Sequence, residues 1–304
     1  LGELWNLFRF INPGLLGSLD SFNERFGNAI EHSTGDNKSH HHLRKLIQPF
    51  ILRRLKHQVL TELPSRTEIT LQVELSKEEM AFYEALRQQA IIKLADSDAN
   101  AGQKHLQVLA EIMKLRQACC NPKLISADIG VASAKLQLFG EVLTELLENK
   151  HKALVFSQFV GHLSLIREYL ESQKIAYQYL DGSTSARDRK LRVDAFQAGE
   201  GDVFLISLKA GGTGLNLTAA DYVIHMDPWW NPAVEDQASD RTHRIGQTRP
   251  VTIYRLVAQH TIEEKIVDLH QHKRDLADSL LEGADISAKV STAELLRLIN
   301  AQPA

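Results

Sequence analysis

The sequence of 304 residues has little cysteine, no long apolar run and no excess of positive charge. Its two cysteines, Cys119 and Cys120, are adjacent, so they form no disulfide framework and favour a reducing cytoplasm. No stretch of about 18 apolar residues and no signal-peptide pattern occurs, so no membrane span or secretion is predicted. The net charge of -3 gives no overall attraction to nucleic acid, so any such binding must come from local patches.

Two motifs that nucleotide hydrolases use are also missing. No Gly-x-x-x-x-Gly-Lys-Ser/Thr loop occurs, which would hold a phosphate with its backbone N–H groups. No predicted strand ends in an Asp-Glu pair that could hold magnesium and orient water. The sequence therefore contains no complete nucleotide site of its own.

Short apolar strands alternate with helices in the second half of the chain. These strands are predicted at residues 152–157, 175–180, 203–207, 222–226 and 251–257. The alternation predicts an α/β fold with a parallel sheet and helices on both faces. Residues 1–130 are predicted to be mostly helical, with a possible strand at 67–73. Helices are predicted to close the chain at 261–281 and 291–300.

Residues 237–247 (QASDRTHRIGQ) are the most informative stretch. Pro232 suits the first turn of a helix and Gly246 can end one, so a helix is predicted over 232–244. Three polar residues then fall at i, i+4 and i+7 on one face: Gln237, Arg241 and Arg244. Two permanently charged guanidinium groups on one face suit the oxygens of a polyanion. A solvated helix face is the alternative.

Polar and glycine residues follow the predicted strands, at the sheet edge where open parallel sheets bind ligands. They lie at 157–159, 181–184, 209–216 and 227–230. The Gly-Gly-Thr-Gly of residues 211–214 could simply be a tight turn, but its backbone N–H groups could also approach an anion. Its position beside hydroxyl, amide and guanidinium groups predicts a phosphate-facing edge. Arginine donors without a phosphate loop predict half of a composite site.

A basic stretch over residues 37–60 has six cations and no acidic residue. The cations are Lys38, Arg44, Lys45, Arg53, Arg54 and Lys56. Interleaved apolar residues indicate an anchored helix whose cationic face binds DNA, or a solvated face that pairs with carboxylates elsewhere. The adjacent His40, His41 and His42 point in different directions on any regular backbone, so no metal site is predicted and their role stays open.

These motifs together resemble the Swi/Snf family of ATP-dependent DNA translocases, in helicase superfamily two. Residues 237–247 resemble the family's motif VI. Residues 153–159 resemble motif IV, 180–184 the segment after it, 211–217 motif V and 227–232 the stretch beyond. Residues 49–54 with Leu63 and Pro64 are similar to the connector between motor lobes, and 283–298 is similar to bacterial members.

The resemblance implies the C-terminal half of such a translocase, without its N-terminal RecA-like lobe. Residues 1–130 would be the tail and protrusion of that lobe with the connector, 131–265 the second RecA-like lobe, and 266–304 bracing helices. ATP and Mg²⁺ would be held mainly by the missing lobe, so these residues alone would not hydrolyse ATP. The implied partner is double-stranded DNA, in a cytoplasmic, nucleoid-associated protein.

The resemblance also implies a role for individual residues. Arg241 and Arg244 would be arginine fingers. Nucleotide contacts would come from Gln237, Gly214, Asn216, Arg241 and Arg244. DNA contacts would come from Ser157, Gln158, Gly182, Ser183, Lys209, Gly212, Thr213, Arg53 and Arg54. Trp229 and Trp230 would lean on DNA or pack as buried aromatics. A strand-separating helicase and a non-enzymatic DNA-docking domain remain alternatives, and protein partners and oligomeric state stay open.

Overall fold

The computed structural model describes residues 2–27, 37–51, 63–96, 100–211, 215–269 and 292–300. The chain divides into two compact units, Leu1–Thr61 with Leu269–Lys289 and Glu62–Asp268 with Val290–Ala304. The elements of the first unit are α1 (Gly2–Ile11), α2 (Leu19–Phe22), a π-helical turn (Asn23–Gly27), α3 (Asn37–Ile47) and a 3-10 turn (Gln48–Phe50).

The first unit closes around aromatic and aliphatic side chains. Its buried core consists of Trp5, Phe8, Leu16, Phe22, Phe26, Leu43 and Ile47. In α3, Leu43 and Ile47 are one turn apart and buried, whereas Arg44 and Lys45 are exposed. The predicted anchored helix with a cationic outer face is therefore found at this end of the basic stretch. The remaining cations, from Arg53 onward, lie outside the described residues.

The second unit is built on a six-stranded sheet, which confirms the predicted α/β fold. The strands are β1 (Arg66–Val73), β2 (Ala153–Ser157), β3 (Tyr177–Leu180), β4 (Val203–Ser207), β5 (Tyr222–His225) and β6 (Val251–Ala258). Their order is β1-β6-β5-β2-β4-β3, and every pairing is parallel. The helices are α4 (Lys77–Ala95), α5 (Ala101–Cys120), α6 (Ala134–Glu148), α7 (Val160–Ser172), α8 (Ala186–Gln197), α9 (Leu208–Gly211), α10 (Pro232–Ser239), α11 (262–269) and α12 (Thr292–Asn300).

Side-chain composition explains the position of each strand in the sheet. β2 (ALVFS) and β4 (VFLIS) are buried along their whole length, as continuous apolar strands of a parallel sheet must be. β1 (RTEITLQV) is largely exposed and lies at the edge, where it pairs with β6 from Arg66 opposite Val251 to Val73 opposite Ala258. The sheet thus extends beyond the predicted lobe of residues 131–265. The three-domain division itself stays a prediction.

Helices α4, α5 and α12 form a packed group beside the sheet. Ser76 and Glu79 form the capping box that starts α4. The closing helix α12 is fixed by hydrogen bonds to two of its carbonyl groups. Arg87 donates to Ile299 O at 2.9 Å, and Lys265 donates to Leu298 O at 3.1 Å. Residues 292–300 are therefore fixed to the second unit, and the bracing domain over 266–304 stays a prediction. Among the described helices, none is both long enough and apolar enough to cross a membrane.

Candidate nucleotide and DNA site

The ends of β2 and β5 meet at the carboxyl edge of the sheet through one buried carboxylate. Ser157 Oγ donates to Asp227 Oδ1 at 2.5 Å, and Gln158 N–H lies 3.3 Å from both carboxylate oxygens. The same Ser157 hydroxyl accepts from Phe159 N–H at 3.1 Å. Ser157 is only 1% exposed. Its hydroxyl holds the strand ends together, and the contact of Ser157 with DNA stays a prediction.

The guanidinium of Arg116 lies against this carboxylate and is fully buried. Its Nη2 donates to Pro228 O at 2.5 Å and lies 3.7 Å from Asp227 Oδ2. Three aromatic rings surround it at 5.5 to 5.6 Å: Phe159, Trp229 and Trp230. Burial raises the pKa of Asp227, and Arg116 opposes that rise. The two tryptophans therefore hold a buried cation, which favours the packing alternative over a DNA contact.

The helix α10 begins as predicted but ends earlier. The Asn231 side chain accepts from Ala233 N–H at 3.0 Å and caps the helix before Pro232. Beyond Ser239 the backbone bonds shorten to i→i−3, because Thr242 N–H donates to Ser239 O at 3.1 Å. The prediction of a helix over 232–244 is therefore wrong past Ser239. Arg241 and Arg244 do not follow Gln237 at helical spacing.

Residues 240–247 form instead a turn that is bonded to the segment after α9. Leu217 N–H donates to Arg241 O at 3.0 Å. The amide of Gln247 donates to Ala220 O at 2.8 Å and to Thr242 O at 3.2 Å. Gly246 has a φ of +99°, a left-handed conformation that glycine adopts without strain. These bonds compete with helix formation and explain why α10 stops.

The two predicted arginine fingers, Arg241 and Arg244, lie on this turn and not on one face of a helix. Arg241 is 9% exposed, whereas Arg244 is exposed and its Nη1 donates to Leu215 O at 3.2 Å. Burial, and then the nearby Arg244 cation, lower the pKa of Arg241, while Asp240 opposes them. Gln237 is exposed on α10. Because two cations on one turn repel each other, a phosphate beside them would relieve that repulsion.

Comparisons with known proteins agree with the fold of the second unit. Residues 1–124 match the SNF2-related domain, and residues 134–246 match the helicase conserved C-terminal domain. The chain therefore contains an SNF2-related domain followed by a helicase conserved C-terminal domain. A solved SNF2-family structure, the Sulfolobus solfataricus SWI2/SNF2 ATPase core in complex with dsDNA, is 33% identical with a TM-score of 0.64. The alignment covers 97% of this chain and 63% of that one, and the sheet is of the same RecA-like type.

Curated SNF2-family relatives are much longer than this chain. An uncharacterized ATP-dependent helicase of Mycoplasma genitalium is 38% identical over 97% of this chain, which spans 28% of that protein. The putative ATP-dependent helicase/translocase YwqA of Bacillus subtilis is 37% identical over 98% of this chain, which spans 33% of it. The chain thus spans about a third, or less, of the length of these relatives.

The other predicted SNF2-family site residues fall into three groups. Gly182, Ser183, Lys209 and Asn216 are exposed on loops or on α9 at the carboxyl edge. Gln158 is half-buried, and its side-chain Nε2 lies 3.9 Å from Met113 Sδ. Outside the described residues lie Gly212, Thr213, Gly214, Arg53 and Arg54. Their roles as DNA or nucleotide contacts stay predictions.

The sequence placed Asp181 at this sheet edge without giving it a role, and it did not single out Tyr179. Asp181 accepts from the Ser183 hydroxyl at 2.6 Å, the Ser183 N–H at 2.8 Å and the Tyr179 hydroxyl at 2.8 Å. These hydrogen bonds lower the pKa of Asp181, with those from Ser183 contributing most. An open groove of about 790 Å³ runs past this loop, between α7 and α8. Two exposed cations on α8, Arg187 and Lys190, extend the edge, and their i, i+3 spacing is visible in the sequence.

One group of possible metal ligands occurs within the part of the chain that the structure describes. Ligand atoms of Cys120, His162 and Asp227 lie within 4.8 Å of one another, and all three residues are buried. Burial, and then Lys135, lower the pKa of His162 to about 3. With Lys135 close to His162 and Arg116 bound to Asp227, a divalent ion would meet two cations. We therefore assign no metal to this group.

Proposed function

We propose that this chain is the second motor lobe and adjoining region of an ATP-dependent translocase on double-stranded DNA. The observation that carries the proposal is the turn of residues 240–247, which holds Arg241 and Arg244 beside residues 215–220, the segment that leads into β5 of a RecA-like sheet. Phosphoryl transfer depends on positioned cations that stabilise the developing charge. Two adjacent guanidinium groups on a fixed turn meet that need, and Gln237 and Asn216 lie on the neighbouring segments.

ATP and Mg²⁺ are held mainly by another lobe of the same protein in this proposal. The support is the absence of a phosphate loop and of an acidic magnesium motif from the sequence. Arg241 and Arg244 then act on a nucleotide bound opposite to them, and closure of the two lobes brings the parts together. Opening and closing move the protein along one strand of the duplex. This lobe therefore contributes to hydrolysis without binding the nucleotide alone.

Double-stranded DNA binds, in this proposal, along the loops at the carboxyl edge. Gly182 and Lys209 are exposed there, and Arg187 and Lys190 add charge beside them. Asp181 holds the Ser183 loop in one conformation through four hydrogen bonds, two of them from Ser183. The similar Sulfolobus solfataricus SWI2/SNF2 ATPase core was solved in complex with dsDNA, which supports a duplex as the partner. Because the net charge is -3, affinity depends on these local cations.

Neutralising Arg187 and Lys190 together by glutamine is expected to lower the salt dependence of DNA binding by the intact protein. Each lost phosphate contact reduces the slope of log K against log salt by about 0.9. The matched control replaces Lys150 and Lys174, exposed cations at the amino end of the sheet, by glutamine. Filter binding from low to moderate salt measures both slopes. Equal slopes in the two double variants would remove α8 from the DNA-binding edge.

Two other functions are weaker. A strand-separating helicase needs the same lobe and differs in what it does to the duplex. A non-enzymatic docking domain has no use for two adjacent arginines on a fixed turn. The boundaries at residues 130 and 265, and a cytoplasmic, nucleoid-associated location, belong to the same proposal.

A further inference from the structure

Arg66, the first residue of β1, contacts the helix that precedes the arginine turn. Its Nη2 donates to Asp236 Oδ1 at 3.0 Å and its Nη1 to Asp240 Oδ1 at 3.3 Å. The Nη2 also donates to Glu68 Oε1 at 2.6 Å. Arg66 lies 170 and 174 residues before its two aspartate partners in the chain. One planar guanidinium thus joins the edge strand to both ends of the last turn of α10.

The positions of the two aspartates connect this contact to Arg241. Asp240 ends α10, its N–H donates to Asp236 O at 2.9 Å, and it directly precedes Arg241. On the other side of Arg241, the Nε2–H of His243 donates to Pro64 O at 2.8 Å. Residues on both sides of Arg241 are therefore bonded to the short segment that leads into β1.

A second set of ion pairs fixes the start of the same helix. The carboxylate of Glu235 is buried and accepts from Arg255 Nε at 2.6 Å and from Trp229 N–H at 2.6 Å. Arg255, on β6, also lies 3.4 Å from Glu68 on β1. The first and last turns of α10 are therefore both bonded to the strand pair at this edge of the sheet.

Charge gives Arg66 a second role at this position. Asp236 and Asp240 are anionic and lie next to the turn that is proposed to receive a phosphate. Without a cation between them, they would repel that phosphate and attract Arg241 toward themselves. Arg66 binds both carboxylates, so their negative charge is offset beside the turn that is proposed to receive a phosphate.

We propose that Arg66 is a positioning residue for Arg241 and Arg244, which couples the segment entering β1 to the arginine turn. The inference rests on the proposed function, because it assumes that the turn faces a nucleotide. Arg66, Asp236 and Asp240 are partly exposed, and such pairs contribute little to global stability. Variants of Arg66 should therefore fold, and their effect should fall on the rate of hydrolysis.

The test measures DNA-stimulated hydrolysis by the intact protein. Arg66→Gln is expected to lower kcat roughly 10- to 100-fold, since small displacements of catalytic groups have effects of that order. The KM for ATP, the DNA affinity and the melting temperature should stay close to those of the parent protein. Arg66→Lys keeps the charge and loses the planar fork, so its kcat should lie between those of the parent protein and Arg66→Gln. The control is Arg249→Gln, which breaks a 3.4 Å ion pair to Asp221 at the amino end of the sheet.

Rescue separates positioning from a general structural role. Adding Asp236→Asn and Asp240→Asn to Arg66→Gln removes the negative charge that Arg66 offsets and should recover part of the lost kcat. A normal kcat in Arg66→Gln, or a loss that the two asparagines do not relieve, would overturn the inference. If instead Arg241→Ala and Arg244→Ala hydrolyse ATP normally, the proposed function itself has failed. The two failures are thus distinguishable in one set of assays.

Discussion

Replacing Arg241 or Arg244 by alanine in the intact protein is expected to lower DNA-stimulated ATP hydrolysis by about 10³- to 10⁵-fold, the usual contribution of an arginine finger. Affinity for double-stranded DNA should barely change. The two guanidinium groups lie on one turn, and burial and then the Arg244 cation lower the pKa of Arg241. A phosphate at this turn would therefore be attracted by two positive charges. The exposed cations assigned to DNA lie on other segments, namely α8 and α9.

A lysine variant of Arg244 tests whether the planar guanidinium is needed in addition to the positive charge. Arg244 is exposed and donates one hydrogen bond to Leu215 O, whereas Arg241 is largely buried. Lysine lacks the planar fork, so Arg244→Lys should remain strongly impaired. Arg249→Ala is the control for removing a surface arginine. Rates and DNA affinities measured side by side decide the assignment. Loss of DNA binding with normal turnover per bound complex would make these arginines nucleic-acid contacts.

The 304-residue chain by itself is expected to hydrolyse no ATP above background, with or without DNA. Its sequence contains no phosphate loop and no paired acidic residues at a strand end, so nothing in it can hold the β- and γ-phosphates with magnesium. Arginine donors at a composite site stabilise charge on a nucleotide that other residues must bind. A phosphate-release assay on the purified chain measures this directly.

Contaminating ATPases are the main complication of that assay, and the Arg244→Ala variant controls for them. Background release that is equal in parent and variant belongs to a contaminant. Turnover that survives repurification and disappears in Arg244→Ala would mean that the chain holds a complete site. The composite-site account would then be wrong.

Much of the sheet could be predicted from local composition. The continuous apolar runs in β2 and β4 identify strands buried on both faces, and their observed bounds agree with the predicted ones to within a residue. β1 was harder to place because it is polar and comes early in the chain. Its membership of the sheet depends on pairing with β6, about 180 residues later, which no local pattern reveals.

The site was predictable in its residues and less so in its geometry. The prediction of a helix over 232–244 rested on the spacing of residues along the sequence. It did not include the hydrogen bonds that Leu217 N–H and the Gln247 side chain donate to the backbone of the turn. The buried position of Ser157 depends on the hydrogen bond from its hydroxyl to Asp227, which lies 70 residues later in the chain. In the sequence, Arg116 looks like an ordinary helix residue. Only in the folded chain do Pro228 and the two tryptophans surround it. Such long-range contacts carry no signal in the local sequence.

A triplex-displacement assay tests the central claim most directly. The intact protein is given ATP and a linear duplex that carries a bound third strand, with Arg244→Ala as the inactive control. A double-stranded-DNA translocase should release the third strand only with ATP, leave the two duplex strands paired, and lose this activity in the variant. Separation of the duplex strands would contradict the account in favour of a helicase. Retention of the third strand while ATP is hydrolysed would contradict movement along DNA altogether.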